Sequence, residues 1–389
     1  MAEGVHTGFD EQQYPHINKG LDGIVAFSTT KSFIDGQIGE LIYAGYNIDT
    51  LAGNATFEEV CFLLWNDRLP NKTELESLKA SFIEQREIPQ VVIDYLHNTS
   101  KDAEPMAVLQ SAVSMLADFD PTKGKYDSEL FMDQAIALTA KIPTIIATYD
   151  RIRKGLDIVK PLNDGSTAFN FLYMLNGEKP GEQAEKTMDL CLILHAEHGM
   201  NASTFTCRTI GATQSDMFSA VAGAIGALKG PLHGGANTAV MNMLLELEKQ
   251  GDKADAEAFT KNKLANKEKI MGFGHSVYKT FDPRARHLQK MSQALSEETG
   301  HEELYRWSMD MLNTMKTEKN IDPNVDFFSA SVYYSIGIQP DLYTCIFTMS
   351  RISGWTGHFM EQAANNKLIR PRALYVGEKN LDWTPIEER

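Results

Sequence analysis

The chain has 389 residues, 43% of them hydrophobic, enough to bury a substantial core in two or three average domains or in one large domain with a smaller lobe. Its 37 basic against 52 acidic residues leave a formal charge of -15, which argues against nonspecific binding to nucleic acid or to an acidic membrane surface. An anionic ligand therefore has to be gripped by local arginines.

The opening stretch, Met1 to Gly20, is polar and lacks the apolar core of a signal peptide, and no later run is long and apolar enough to span a membrane. Apolar residues recur at helical spacing in Phe57 to Trp65, Ala135 to Ile146, Thr187 to Leu194 and Val240 to Leu247, while alternating strand patterns are scarce. Pro70, Pro89, Pro105, Pro121, Pro161 and Pro180 fall between periodic runs, which predicts a mainly α-helical protein broken at those points. Cys61, Cys191, Cys207 and Cys345 are far apart and match no zinc or redox spacing, as suits a reducing cytoplasm. His195 and His198 stand three apart on a predicted helix and face roughly the same way. Their spacing is not that of zinc proteases and no third ligand is evident, so a substrate contact from one and packing of the other is expected, with no metal. Phe218 to Lys229 is almost all small or apolar and should pack closely on more than one side, as a subunit interface or as a central core helix.

Two histidines then occupy glycine-rich breaks: His233 in Gly230-Pro-Leu-His-Gly-Gly-Ala-Asn237 and His275 in Gly272-Phe-Gly-His-Ser276. Glycines let the backbone approach a ligand and aim an imidazole into a cleft. His233 precedes a predicted helix from Gly235 to Leu247, whose positive end disfavours an added proton; a neutral His there suits an oxygen that gains charge in a transition state. The alternative is a His that merely holds its loop together. His275 comes nine residues before Arg284, in a polar stretch with Lys279, Asp282 and Arg286. Arg284 would grip a carboxylate with its planar fork while His275 polarises and protonates a carbonyl; the alternative is a solvated loop with incidental charge. The charged stretch Glu246 to Lys269 lies within Gly234 to Asp326, the best candidate for an inserted domain.

Asp326 stands at the cap or first turn of a predicted helix continuing through Phe327 to Tyr334, where it serves either as a carboxylate base or as a simple N-cap. Arg351 lies in the apolar helical pattern Ile346 to Trp355 and needs an anion beside it, from a structural carboxylate or from a substrate. Arg370 precedes Pro371, which biases it to extended backbone in a position to reach toward another chain.

Taken together, these residues resemble the citrate synthase family from about Gly20 nearly to the C-terminus. The motifs that carry the likeness, in addition to the two glycine-framed histidines, are Asp-Pro-Arg ending at Arg284 and Val-Asp-Phe-Phe-Ser at Asp326. Ser350 to Trp355, Ile369-Arg-Pro-Arg372 and His195-Ala-Glu-His-Gly-Met-Asn201 complete the set. The resemblance implies an all-α homodimer, its large domain formed by 1–233 plus 327–389 and its small, mobile domain by 234–326. It implies an acyltransferase of the tricarboxylic acid cycle that condenses acetyl-CoA with oxaloacetate and hydrolyses citryl-CoA to citrate and CoA. Asp326 would take a methyl proton, His233 stabilise the enol and His275 activate the oxaloacetate carbonyl. His198, Arg284, Arg351 and Arg370, the last from the partner subunit, would bind the dicarboxylate. Ile270, Met271, Gly272, Phe273 and Gly274 match the loop that meets the CoA adenine, and Lys279 a cation near CoA phosphate. No metal or other cofactor is implied.

Only about twenty residues precede the likeness, as in the family's short form, so neither an N-terminal β domain nor an NADH-responsive hexamer is expected. Three rivals stand beside this expectation: a 2-methylcitrate synthase using propionyl-CoA, which shares every residue named; a catalytically silent relative that binds CoA or a dicarboxylate; and a metal-dependent hydrolase using His195, His198 and His233.

Overall fold

The computed structural model describes residues 17–21 and 23–389, so Met1 to His16 of the polar leading stretch lie outside the described residues. The first regular elements are strands. β1 (Ser32–Asp35), β2 (Glu40–Tyr43) and β3 (Tyr46–Asn47) form an antiparallel meander, with Ser32 opposite Tyr43 and Ile42 opposite Asn47. Strands of four, four and two residues are too short to leave a clear alternating pattern, and they sit within the mainly helical fold expected.

The rest of the regular structure is helical, as predicted: α1 (Ile48–Asn54), α2 (Phe57–Asn66), α3 (Lys72–Gln85), α4 (Gln90–Asn98), α5 (Pro105–Phe119), α6 (Phe131–Arg153), α7 (Thr167–Asn176) and α8 (Glu182–His195) lead to α9 (Ala202–Gly211), α10 (Met217–Lys229), α11 (Ala236–Glu248), α12 (Ala256–Ala265), α13 (Pro283–Thr299), α14 (Glu302–Lys319), α15 (Val325–Ser335) and α16 (Tyr343–Ala364). Local chemistry sets their starts. Thr56 with Glu59 and Asn71 with Glu74 form capping boxes, and Asn201, Asp216, Asp282 and Asn324 each accept a first-turn N–H. Pro89 caps α4 and Pro105 opens α5, where a missing N–H costs nothing.

Two compact units result. The larger, Thr29–Lys367, carries the sheet and α1 to α16. Its axis is α16, buried along most of its length and packed by α2, α5, α6, α8, α9 and α10. A helix that is apolar on all sides belongs in the middle of a core, and Arg351 is carried there by it. α10 packs against α5, α6, α9 and α16, which accounts for its small residues within one chain. The stretch 234–326 contains α11 to α14; α12 packs on α14, while α11 and α13 both pack on α15. In the second unit, formed by the terminal segments, the described residues hold short 3₁₀ turns at Lys19–Leu21 and Ile386–Glu388 and expose Val25, Tyr375, Val376, Leu381 and Trp383. No helix among the described residues is long and apolar enough to cross a membrane.

Candidate active site

His275 sits in a loop pinned on two sides. On one, the Lys279 amide donates to Gly36 O (2.8 Å) at the β1–β2 turn, where a Cβ on Gly36 would come within 2.1 Å of Val277 O. On the other, the segment before His275 runs beside the entry to α15: Gly274 N donates to Asp322 O (3.0 Å), Asn324 N to Gly272 O (2.9 Å) and Asn324 Nδ2 to Gly274 O (2.8 Å). Gly272 has φ 83° and lies so close to Phe327 that a Cβ would meet its Cα at 3.0 Å. Gly272 and Gly274 therefore share their backbone hydrogen bonds with the turn that starts the helix of Asp326.

The tautomer of His275 follows from its neighbours. Its Nδ1 accepts the amide N–H groups of Val277 (3.0 Å) and Tyr278 (3.2 Å), so the proton of the neutral ring resides on Nε2. Burial, then the Arg284 charge, push its pKa down to about 4, and the ring is neutral at physiological pH. His233 is fixed in the opposite sense. The Ser203 amide donates to its Nε2 (3.3 Å), with the Ser203 hydroxyl 2.8 Å from the same nitrogen, which leaves the N–H on Nδ1. The indole of Trp355 in turn donates to Ser203 Oγ (3.1 Å). His233 is held down to about 4, first by burial and then by Arg351. The expected neutrality is present, but its cause is burial more than the helix end, which Gly235 caps.

Asp326 is the second residue of α15, and its amide donates to Asn324 Oδ1 (3.0 Å); Asn324, not Asp326, is the cap. Among the described residues its carboxylate has no hydrogen-bond or ion-pair partner. Burial pushes it up to about 6, against the pull of Arg284 and Arg351. Desolvation thus outweighs the positive end of the helix, which favours the ionised form, and yields a carboxylate that titrates just below neutrality and can serve as a base.

The two buried arginines differ. Arg284 forms a two-pronged pair with Asp282 through Nε (3.0 Å) and Nη2 (2.7 Å), leaving Nη1 outside the pair. Asp282 Oδ2 also accepts the Val325 N–H (3.2 Å), so one carboxylate caps α13, satisfies the first N–H of α15 and ties Arg284 to the helix of Asp326. Burial alone would raise the Asp282 carboxyl, but Arg284 holds it below its ordinary value. Arg351, only 1% exposed, has no carboxylate within ion-pair distance among the described residues. Its Nε donates to His195 O (2.7 Å) and its guanidinium stacks 4.7 Å from the Phe347 ring. Burial lowers it to about 10, with Glu197 opposing, so it stays charged at neutral pH.

The helical expectation for His198 needs correction. α8 ends at His195, and His198 lies in the loop beyond, before Gly199 at φ 61°. Glu197 pulls the chain out of the helix: its Oε1 accepts from Ser32 Oγ (2.9 Å) and lies 3.2 Å from His358 Nε2, both buried contacts distant in sequence. His195 packs, donating from Nδ1 to Cys191 O (2.8 Å), while His198 stands in the cluster with ring centroids 5.2 Å from His275. Burial and both arginines keep His198 neutral. Among the described residues no group of three or more His, Cys, Asp or Glu is placed to hold a metal.

Lys279 is exposed, its ammonium donating to Ser276 O (3.1 Å). Arg370 belongs to the terminal unit, exposed and outside any helix or strand. Ser203, Glu197 and the β1–β2 turn escaped the sequence, because their importance arises only from contacts made across the fold.

Two neutral imidazoles with opposite fixed tautomers, a carboxylate base and two buried guanidinium groups make a set that can polarise two carbonyls and hold a dianion. The model of the citrate synthase C-terminal domain matches residues 20–372. Citrate synthase 2 of Bacillus subtilis is 49% identical over 373 residues, covering 95% of this chain and 99% of its own. The 2-methylcitrate synthase 2 of Corynebacterium glutamicum is 39% identical over 378 residues, covering 96% of this chain and 98% of its own. The citrate synthase of the archaeon Thermoplasma acidophilum, solved in a ternary complex with carboxymethyl coenzyme A and oxaloacetate, superposes with a TM-score of 0.90 at 33% identity, covering 96% of this chain and 100% of that one. Matched by the family model over residues 20–372 and by relatives along nearly its whole length, the chain belongs to the citrate synthase family.

Proposed function

We propose that this enzyme condenses acetyl-CoA with oxaloacetate and releases citrate and CoA, with no metal or other cofactor. Asp326 removes a proton from the acetyl methyl group while the Nδ1–H of His233 holds the thioester oxygen as it becomes an enol. The enol carbon attacks the ketone carbon of oxaloacetate, whose oxygen takes the Nε2 proton of His275. Water then cleaves the citryl thioester, and CoA leaves as the thiol. His198, Arg284 and Arg351 bind the dicarboxylate, joined by Arg370 from the partner subunit of a cytoplasmic homodimer. The exposed apolar side chains of the terminal segment that carries Arg370 support that dimer. The segment Ile270 to Gly274 receives the CoA adenine and Lys279 its phosphate. Residues 234–326 form the smaller domain, whose closure keeps water from the enol.

The observation that carries this proposal is the pair of opposed tautomers. A ring with Nδ1–H and a ring with Nε2–H, both neutral, suit the activation of two different carbonyls, the first by hydrogen bonding and the second by hydrogen bonding and then proton transfer. The test is free-thiol release by chelator-treated protein from acetyl-CoA and from propionyl-CoA, each with and without oxaloacetate. An oxaloacetate-dependent preference for acetyl-CoA is expected. A propionyl preference would make it a 2-methylcitrate synthase, a difference of one methylene worth about 1–3 kcal/mol in a pocket. Silence with both thioesters would overturn the proposal.

A further inference from the structure

Tyr278 stands among the groups proposed to bind oxaloacetate, and nothing so far has used its side chain. It is 3% exposed. Its hydroxyl lies 3.1 Å from His198 Nε2, its ring centroid 4.8 Å from that of His275, and the Arg284 guanidinium 6.0 Å from the same centroid. Its own amide is one of the two that fix the His275 tautomer. One residue therefore touches three members of the substrate cluster, in three different ways.

Packing explains the ring and leaves the hydroxyl over. A phenylalanine would fill the same volume and make the same stacking contacts. The hydroxyl does something a hydrocarbon cannot: it bonds to one named nitrogen of His198. Among the described residues no other side-chain hydrogen bond reaches the His198 ring; Asn201 Nδ2 donates to the His198 backbone carbonyl, not to its imidazole. An imidazole held by packing alone fits nearly as well when turned over about its second side-chain torsion, which exchanges nitrogen for carbon at each ring edge. The phenol selects one of the two. Both groups are neutral, since burial pushes the Tyr278 phenol up and the His198 imidazole down, so the bond persists across the physiological pH range.

We propose that Tyr278 is a positioning residue, whose hydroxyl holds the His198 ring in the single orientation that presents its other edge to the dicarboxylate. The inference rests on the assignment of His198 to oxaloacetate binding. Tyr278→Phe keeps the ring and removes the bond. A neutral hydrogen bond of this kind corresponds to about a 2- to 10-fold rise in the KM for oxaloacetate. The KM for acetyl-CoA, kcat and the thermal midpoint should remain near those of the unsubstituted enzyme.

A double-substitution cycle separates positioning from bulk packing. If Tyr278 acts through His198, Tyr278→Phe adds nothing to the oxaloacetate KM once His198→Ala is present. An unchanged KM in Tyr278→Phe alone, or the same rise in both backgrounds, overturns the inference. Oxaloacetate-dependent thiol release by the unsubstituted enzyme is measured alongside. Its absence would remove the proposed function and this inference together, whereas normal turnover with additive substitutions would remove this inference alone.

Discussion

Replacing Asp326 by Asn should destroy turnover and make the protein more stable. The carboxyl has been lifted from its ordinary 3.8 to about 6, chiefly by burial, with no hydrogen-bond partner among the described residues. At about 1.4 kcal/mol per tenfold, that rise costs the folded state about 3 kcal/mol when the group is ionised. Asp326 keeps part of its surface open to solvent, so this is an upper limit and a gain of about 1–3 kcal/mol is expected for the amide. The sign depends on pH in a defined way. Below about pH 4 both folded and unfolded chains carry the proton and the two proteins should be equally stable. Between about 4 and 6 the unfolded chain ionises first, the native protein loses stability, and the advantage of Asn grows. Above 6 the gap is constant. Urea unfolding of both proteins across pH 4 to 8, with kcat at the upper end, measures all of this; kcat should fall by about 10²–10⁴-fold as the base is lost. An Asn variant less stable at pH 7.5, or a gap that ignores pH, would refute the claim that Asp326 is held against its own solvation.

The pH profile should follow the same group. Because the base must be ionised, kcat/KM for acetyl-CoA should drop tenfold per pH unit below about pH 6, while His233 and His275, held near 4, add no limb around 6.5; a limb that vanishes in His275→Gln would assign it to the histidine. Arg351→Gln removes a buried guanidinium without an ion-pair partner among the described residues, so steady-state kinetics should show the oxaloacetate KM rising about 10- to 100-fold with no loss in thermal midpoint. His233→Ala should lower kcat by about 10²–10³-fold and leave oxaloacetate affinity, read by calorimetry, unchanged.

What the sequence disclosed and what it withheld divide by range. Caps and prolines act within one turn of helix, so the breaks at Pro89 and Pro105 and the start of α15 beside Asn324 were legible, and with them the glycine-framed positions of His233 and His275. His198 was misplaced because helical periodicity through Leu194 gives no sign of its end; that end depends on Glu197 meeting Ser32 and His358, 165 and 161 residues away. The three-stranded meander was invisible for the complementary reason. Its strands are short, and its value to the site lies in what Gly36 and Lys279 make together. The tautomers, too, were out of reach, since each depends on backbone amides that only the folded loop brings to the imidazole.

The unequal treatment of the two buried arginines gives the site its logic. A buried cation without a partner is expensive, and a protein that left two such groups side by side would lose much of its stability for the sake of a ligand. Asp282 removes that burden from Arg284 and, by also accepting the first N–H of α15, makes the same carboxylate hold Arg284 and the helix of Asp326 in register. Only Arg351 is left to wait for an anion, its charge eased by the His195 carbonyl and the face of Phe347. Burial, reinforced by the same positive field, keeps His198, His233 and His275 from taking up protons, so on the proposed function one arrangement of charge would both attract a dicarboxylate and help preserve the neutral N–H donors that the ketone and the thioester require. A dianion arriving beside Arg351 should therefore stabilise the protein by more than its contacts with the histidines alone supply, because it relieves a cost already present in the folded chain.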